Sequence, residues 1–124
     1  MQEQAKSPIT LTLDLKKKRI RFHKAMLHMM GDPRYLQVLI NTQDMLVAIL
    51  GVDNQGFGNF SYNVSPQRSK SDNCYELYGE YFIQKLCSIY EDLEFGYTYH
   101  LLGNFMPEEN AAVFSLKSIK RLEE

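Results

Sequence analysis

The chain has 124 residues, 44% hydrophobic and 23% charged, a balance that suits one domain with its own core and no need of disulfide or metal staples. No apolar run approaches the ~18 residues of a membrane span, and the polar opening MQEQAKSPIT lacks the apolar stretch of a secretory leader. The expected setting is therefore cytoplasmic, with no membrane partner. The net charge of −1 hides a division: residues 1–50 carry eight Lys/Arg against four Asp/Glu, and residues 51–124 carry six against eleven.

In chain order, residues 1–8 read as a flexible tail. Ile9-Thr10-Leu11-Thr12-Leu13-Asp14-Leu15 alternates as a half-buried strand does. Lys16-Lys17-Lys18 interrupts it, and Arg19-Ile20-Arg21-Phe22 resumes the alternation, which makes a hairpin. Met26, Met29 and Met30 fall at helical spacing, and Gly31 and Pro33 close that short helix. Tyr35–Ile40 is strand-like, Asn41–Asp44 supplies turn chemistry, and the apolar run Met45–Leu50 reads as a covered strand.

Gly51–Gly58 is a connector, after which the order recurs. Phe60–Val64 alternates, 65–73 is a polar loop, and Cys74–Tyr78 is strand-like. Ile83, Leu86, Cys87 and Tyr90 form a helical face. Phe95–Leu101 reads as a strand, Gly103–Asn110 as a loop and Ala111–Leu116 as the last strand, with a short charged helix over Lys117–Glu124. A β-β-α-β-β unit thus appears twice, at 9–50 and 57–116, inside a single domain spanning 9–124. The first copy is basic; the second is acidic and aromatic.

The first unit resembles the DNA-binding half of the AbrB/MazE/SpoVT family, the swapped-hairpin barrels of bacterial transition-state regulators and antitoxins. Lys18-Arg19-Ile20-Arg21-Phe22-His23 occupies that family's turn and second strand, Met30-Gly31-Asp32 its helix end, and Leu36–Ile40 its third strand. The resemblance implies an α+β fold in which the two tandem units form a swapped-hairpin, AbrB-like barrel as a single-chain pseudo-dimer. It also implies a DNA-binding transcriptional regulator or antitoxin-like protein. The departures are Lys18 in place of the family glycine, His23 in place of its proline, and Leu27-His28 where an arginine pair is common. Unit two carries Glu76 and Glu80 near the equivalent places, so a symmetric grip on two half-sites is not expected.

Six of the fourteen basic residues lie between Lys16 and Lys24. Lys16, Lys17, Lys18, Arg19, Arg21 and Lys24 are the candidate contacts to double-stranded DNA, because Lys and Arg displace counterions and an arginine fork fits a phosphate or a guanine edge. The plainer reading of the same run is a solvated turn. No aromatic lies between Lys16 and Arg21 in the sequence, so stacking on single strands is not indicated.

The tyrosines at 75, 78, 81, 90, 97 and 99 form either a core rim or a protein interface. The alternative function is accordingly a non-catalytic protein-interaction module that has lost DNA binding, monomeric or homodimeric. His23 and His28 are five apart, wrong for a shared metal face. Cys74 and Cys87 read as reduced thiols. The acidic run Glu91-Asp92-Leu93-Glu94 reads as a solvated loop, and Gly51–Gly58 lacks the Lys-Ser/Thr of a phosphate-binding loop. Neither enzyme chemistry, a metal nor a cofactor is expected.

Overall fold

The computed structural model describes residues 9–54, 61–64 and 73–122. The expected tail at 1–8, the start of the fifth strand at Phe60, most of the connector after residue 54 and the loop at 65–72 lie outside the described residues. So do the last two residues of the expected C-terminal helix.

The elements are β1 (Ile9–Asp14), β2 (Arg19–His23), α1 (Ala25–Met29), β3 (Tyr35–Asn41), β4 (Leu46–Val52), β5 (Ser61–Asn63), β6 (Cys74–Tyr78), α2 (Glu80–Ile89), β7 (Thr98–Met106), β8 (Ala111–Ser115) and β9 (Lys120–Arg121). The strands form one antiparallel sheet in the order β5-β3-β4-β8-β7-β1-β2-β6, with β9 added on β7. The fold is α+β, mostly antiparallel strands with few helices, and the sheet is curled.

Alternation explains which face is inside. Leu11 and Leu13 of β1, Ile20 and Phe22 of β2, Leu36 and Val38 of β3, and Val47 and Ile49 of β4 all point into one core. Tyr75 and Leu77 of β6, Leu101 of β7 and Phe114 of β8 meet them from the other half of the chain. Met26, Leu27 and Met30 cover this core from α1 and its end; Phe82, Ile83 and Leu86 cover it from α2. Each such side chain contributes about 1.5–3 kcal/mol of burial, so neither half is stable without the other's apolar face.

Three hairpins share one turn design. The four-residue turns after β1, β3 and β7 end on Lys18, Met45 and Asn110, with φ of 56°, 57° and 54°. A left-handed residue there matches the twist of the flanking strands. In the β3–β4 turn Asn41 Oδ1 also accepts from the Asp44 amide at 3.0 Å, the side-chain mimicry that asparagine brings to turns.

Two expectations are corrected. Gly103 does not open a loop; β7 runs on to Met106, and the turn occupies residues 107–110. Gly103 is a strand glycine because β8 passes so close that a Cβ would run into the Val113 carbonyl oxygen and the Phe114 ring. Likewise Lys117–Glu124 does not begin a helix. A single 3₁₀ turn over Leu116–Ser118 is followed by β9, whose Lys120 and Arg121 pair with His100 and Tyr99. The cause is an open edge: β8 covers β7 only from Gly103 onward, so the earlier backbone needs another partner. The Ser118 hydroxyl fills the gap between the two ladders, accepting from the Leu102 amide at 2.9 Å.

Asn110 locks the β7–β8 turn to the first half of the chain. Its Nδ2 donates to the carbonyls of Met30 at 3.0 Å and Gly51 at 3.1 Å, and its own carbonyl accepts from the Gly51 amide. Asn110→Ala removes both side-chain bonds and leaves alanine in a left-handed conformation, so an expected loss of about 2–3 kcal/mol follows. Urea denaturation checks it; a change under half a kcal/mol would remove this junction from the account.

Candidate functional site

Pairing register sets the outer face of the sheet in rows. Asp14 stands opposite Arg19, and Arg19 opposite Tyr78; Thr12 stands opposite both Arg21 and His100, and Arg21 opposite Glu76. The outward residues of the basic hairpin therefore lie against carboxylates from its own first strand and from β6.

Those carboxylates engage them. Arg19 Nε donates to Asp14 Oδ2 at 2.9 Å, and its Nη1 lies 3.0 Å from Glu76 Oε2. Arg19 is only 13% exposed at its side chain and Asp14 11%. Burial works against the Arg19 charge, but its bonds to Asp14 and Tyr78 and the Glu76 charge outweigh it and hold its pKa above the ordinary value. The other oxygen of Asp14 accepts from the Lys16 and Lys17 amides at 3.2 and 3.3 Å, so one carboxylate fixes both the turn and the arginine.

Of the six candidate contacts, the structure brings some together and separates others. Lys16 and Lys17 are exposed at the hairpin tip, and Lys18 Nζ lies 3.6 Å from Glu80 Oε2. Lys24 is at the far end of β2, about 16 Å along the strand, where its amide donates to the Asn73 carbonyl at 2.8 Å. Among the described residues, Arg21 Nε is buried without a hydrogen-bond acceptor, 3.7 Å from Glu76 Oε2, and Nη2 reaches the Cys74 thiol, also at 3.7 Å.

Some of the aromatics separated from the lysines in sequence lie beside them in space. The Leu15 amide donates to the Tyr97 carbonyl, and the Gly79 amide to the Lys18 carbonyl. Lys17, Lys18, Tyr62, Tyr78 and Tyr81 line one cleft. Tyr78, Tyr81, Phe95 and Tyr97 are exposed, Tyr81 at 70%, while Tyr75 and Tyr99 are core residues. Arg121 sits over the Tyr97 ring, 4.4 Å from its centroid.

Beside β2 lies a cavity of ≈ 610 Å³, walled by Thr10, Thr12, Arg21, His23 and His100 on the sheet and by Met26 and Met29 on α1. His23 Nδ1 accepts from the Ala25 amide at 3.0 Å, while His28 pairs with Asp32 on the surface. Cys74 and Cys87 are not joined in a disulfide, and burial pushes the Cys87 thiol up, away from reactivity. Among the described residues, no group of three or more His, Cys, Asp or Glu could hold a metal, and no helix is long and apolar enough to cross a membrane.

Asp14 and Thr12 did not stand out as site residues in the sequence. A signal for Asp14 existed: a four-residue turn places it opposite Arg19. Glu76 and His100 come from distant strands, and no local pattern reports them. Compared with protein-family models, curated proteins and solved structures, the chain matches none.

Proposed function

We propose that this chain is a non-catalytic protein-interaction module built on a fused swapped-hairpin scaffold, in which the basic hairpin braces the fold rather than reading DNA. The observation that carries this reading is the seat of Arg19 between Asp14 and Glu76. A guanidinium spent on two carboxylates has little left for a phosphate, and freeing it leaves two carboxylates in repulsion. Exposed Tyr78 and Tyr81 beside the tip, with Phe95 and Tyr97 exposed on the segment before β7, supply the aromatic character that protein interfaces favour.

The scaffold reading is supported by the symmetry of the strand pairing. Exchanging β1–β4 for β5–β8 turns the β1–β7 ladder into β5–β3 and the β3–β4 hairpin into β7–β8, and it maps β4–β8 and β2–β6 onto themselves. Among the described residues β1–β2 lacks its counterpart, a β5–β6 ladder, and the added β7–β9 pairing has none. Tyr62 of β5 nevertheless lies over Gly79 beside β6. Lys18, at the family's glycine position, has the φ of 56° that glycine serves without strain. A fused pair needs no partner copy to fold, so the thermal midpoint should not change across about a hundredfold range of protein concentration. A midpoint that climbs with concentration would replace this reading with an obligate dimer.

Duplex DNA keeps one observation in its favour, the exposure of Lys16 and Lys17 at the tip. Fluorescence anisotropy of mixed-sequence duplex across a salt series separates the two readings. The wild type should show no binding near physiological salt, and Glu76→Gln, which removes the carboxylate that Arg19 and Arg21 share, should bind better than wild type at low salt. Tight wild-type binding whose salt slope falls by about two on changing Arg19 and Arg21 to Ala would restore the regulator reading.

A further inference from the structure

We infer that the cavity beside β2 is a binding site for a small organic anion, a carboxylate carried on an apolar body. Its polar wall is one-sided. Arg21, His23 and His100 present nitrogen, and Thr10 and Thr12 present hydroxyls. None of the cavity's described lining residues is acidic. The rest of the lining includes apolar Met26 and Met29 of α1 and Ile9 at the strand start. A volume of ≈ 610 Å³ lies within the range of pockets that hold small ligands.

A second observation points the same way. A guanidinium offers five N–H donors in a planar fork. The hydrogen bond the structure gives the Arg21 fork goes to the Cys74 sulfur at 3.7 Å, a weak acceptor, and its nearest carboxylate oxygen is beyond hydrogen-bond reach at 3.7 Å. Arg19, one row away, takes the short contact to the same Glu76. Arg21 is thus the less tightly held arginine of the pair, its side chain is 35% exposed, and it lines the cavity. Thr12 stands directly between Arg21 and His100 in the strand register, so the three form a continuous donor row across β2, β1 and β7. A carboxylate laid on that row meets charged and neutral donors together, while its apolar part lies toward exposed Met29 and buried Met26. This site is separate from the aromatic tip and stands whether or not the tip binds a protein.

The test is an NMR titration of the full chain with octanoate, beside octanamide and octylammonium as neutral and cationic probes of the same length. Octanoate should saturate, with the largest shifts at Thr10, Thr12, His23, Met29 and His100, and octanamide should bind about tenfold more weakly because it cannot make charge-assisted bonds. Parallel titration with 2-naphthoate separates an aliphatic from an aromatic acid as the preferred body. Arg21→Gln should weaken octanoate by about tenfold or more. Because that change also disturbs the Glu76 contact, two gentler variants accompany it. His100→Gln should weaken binding, and Met29→Glu, at an exposed position, should abolish it by repulsion without unfolding the protein. Non-saturating shifts up to about 10 mM, a range that already corresponds to negligible affinity, would overturn the inference. So would equal affinity for octanoate and octanamide, or indifference to Met29→Glu.

Discussion

A positive charge largely withdrawn from water has to be answered where it sits, and much of the first hairpin is arranged around that requirement at Arg19. Its guanidinium lies between a carboxylate of β1 and one of β6. The β1 carboxylate also accepts two backbone amides of the turn, which fixes the hairpin's outward register. The β6 carboxylate comes from the acidic half of the chain. The charge division legible in the composition therefore has a structural use: basic and acidic halves meet along β2–β6 and neutralise each other. Such a cluster adds little net stability when intact, because desolvation offsets attraction, but removing one member is costly.

The same logic of unmet demand explains the elements that depart from their sequence pattern. β7 is the longest strand and has two different neighbours on one edge, β8 for its second part and β9 for its first. Its backbone would otherwise present open donors and acceptors, so the chain end is drawn in as a strand and the Ser118 hydroxyl completes the ladder. At the opposite end of the core, Asn110 does similar work for the carbonyls of Met30 and Gly51. Long-range contacts of this kind make the two halves interdependent.

What the sequence revealed follows from how local the causes are. Strands β1, β2, β3 and β6 and the face of α2 were legible because alternation or helical spacing reflects one core face. Gly103 misled because glycine serves loops and close strand approach alike, and only β8 decides between them. The C-terminal segment misled because its charged composition suits a helix, whereas an open edge on a distant strand sets its conformation. The basic run was visible as charge, but not its neutralisation, since Glu76 lies far away in sequence. The aromatics at the tip were hidden for the same reason: β6 and α2 bring Tyr78 and Tyr81 to lysines on the β1–β2 turn.

The most direct test of the central claim is a double-mutant cycle between Arg19 and Glu76, with Arg19→Met and Glu76→Gln measured singly and together by urea denaturation. If the hairpin's charge is consumed inside the fold, the two changes should be coupled by about 1–3 kcal/mol, with the double variant less destabilised than the sum of the singles. Additive effects, with coupling near zero, would mean that Arg19 is not held by Glu76. The basic face would then be free for an external anion.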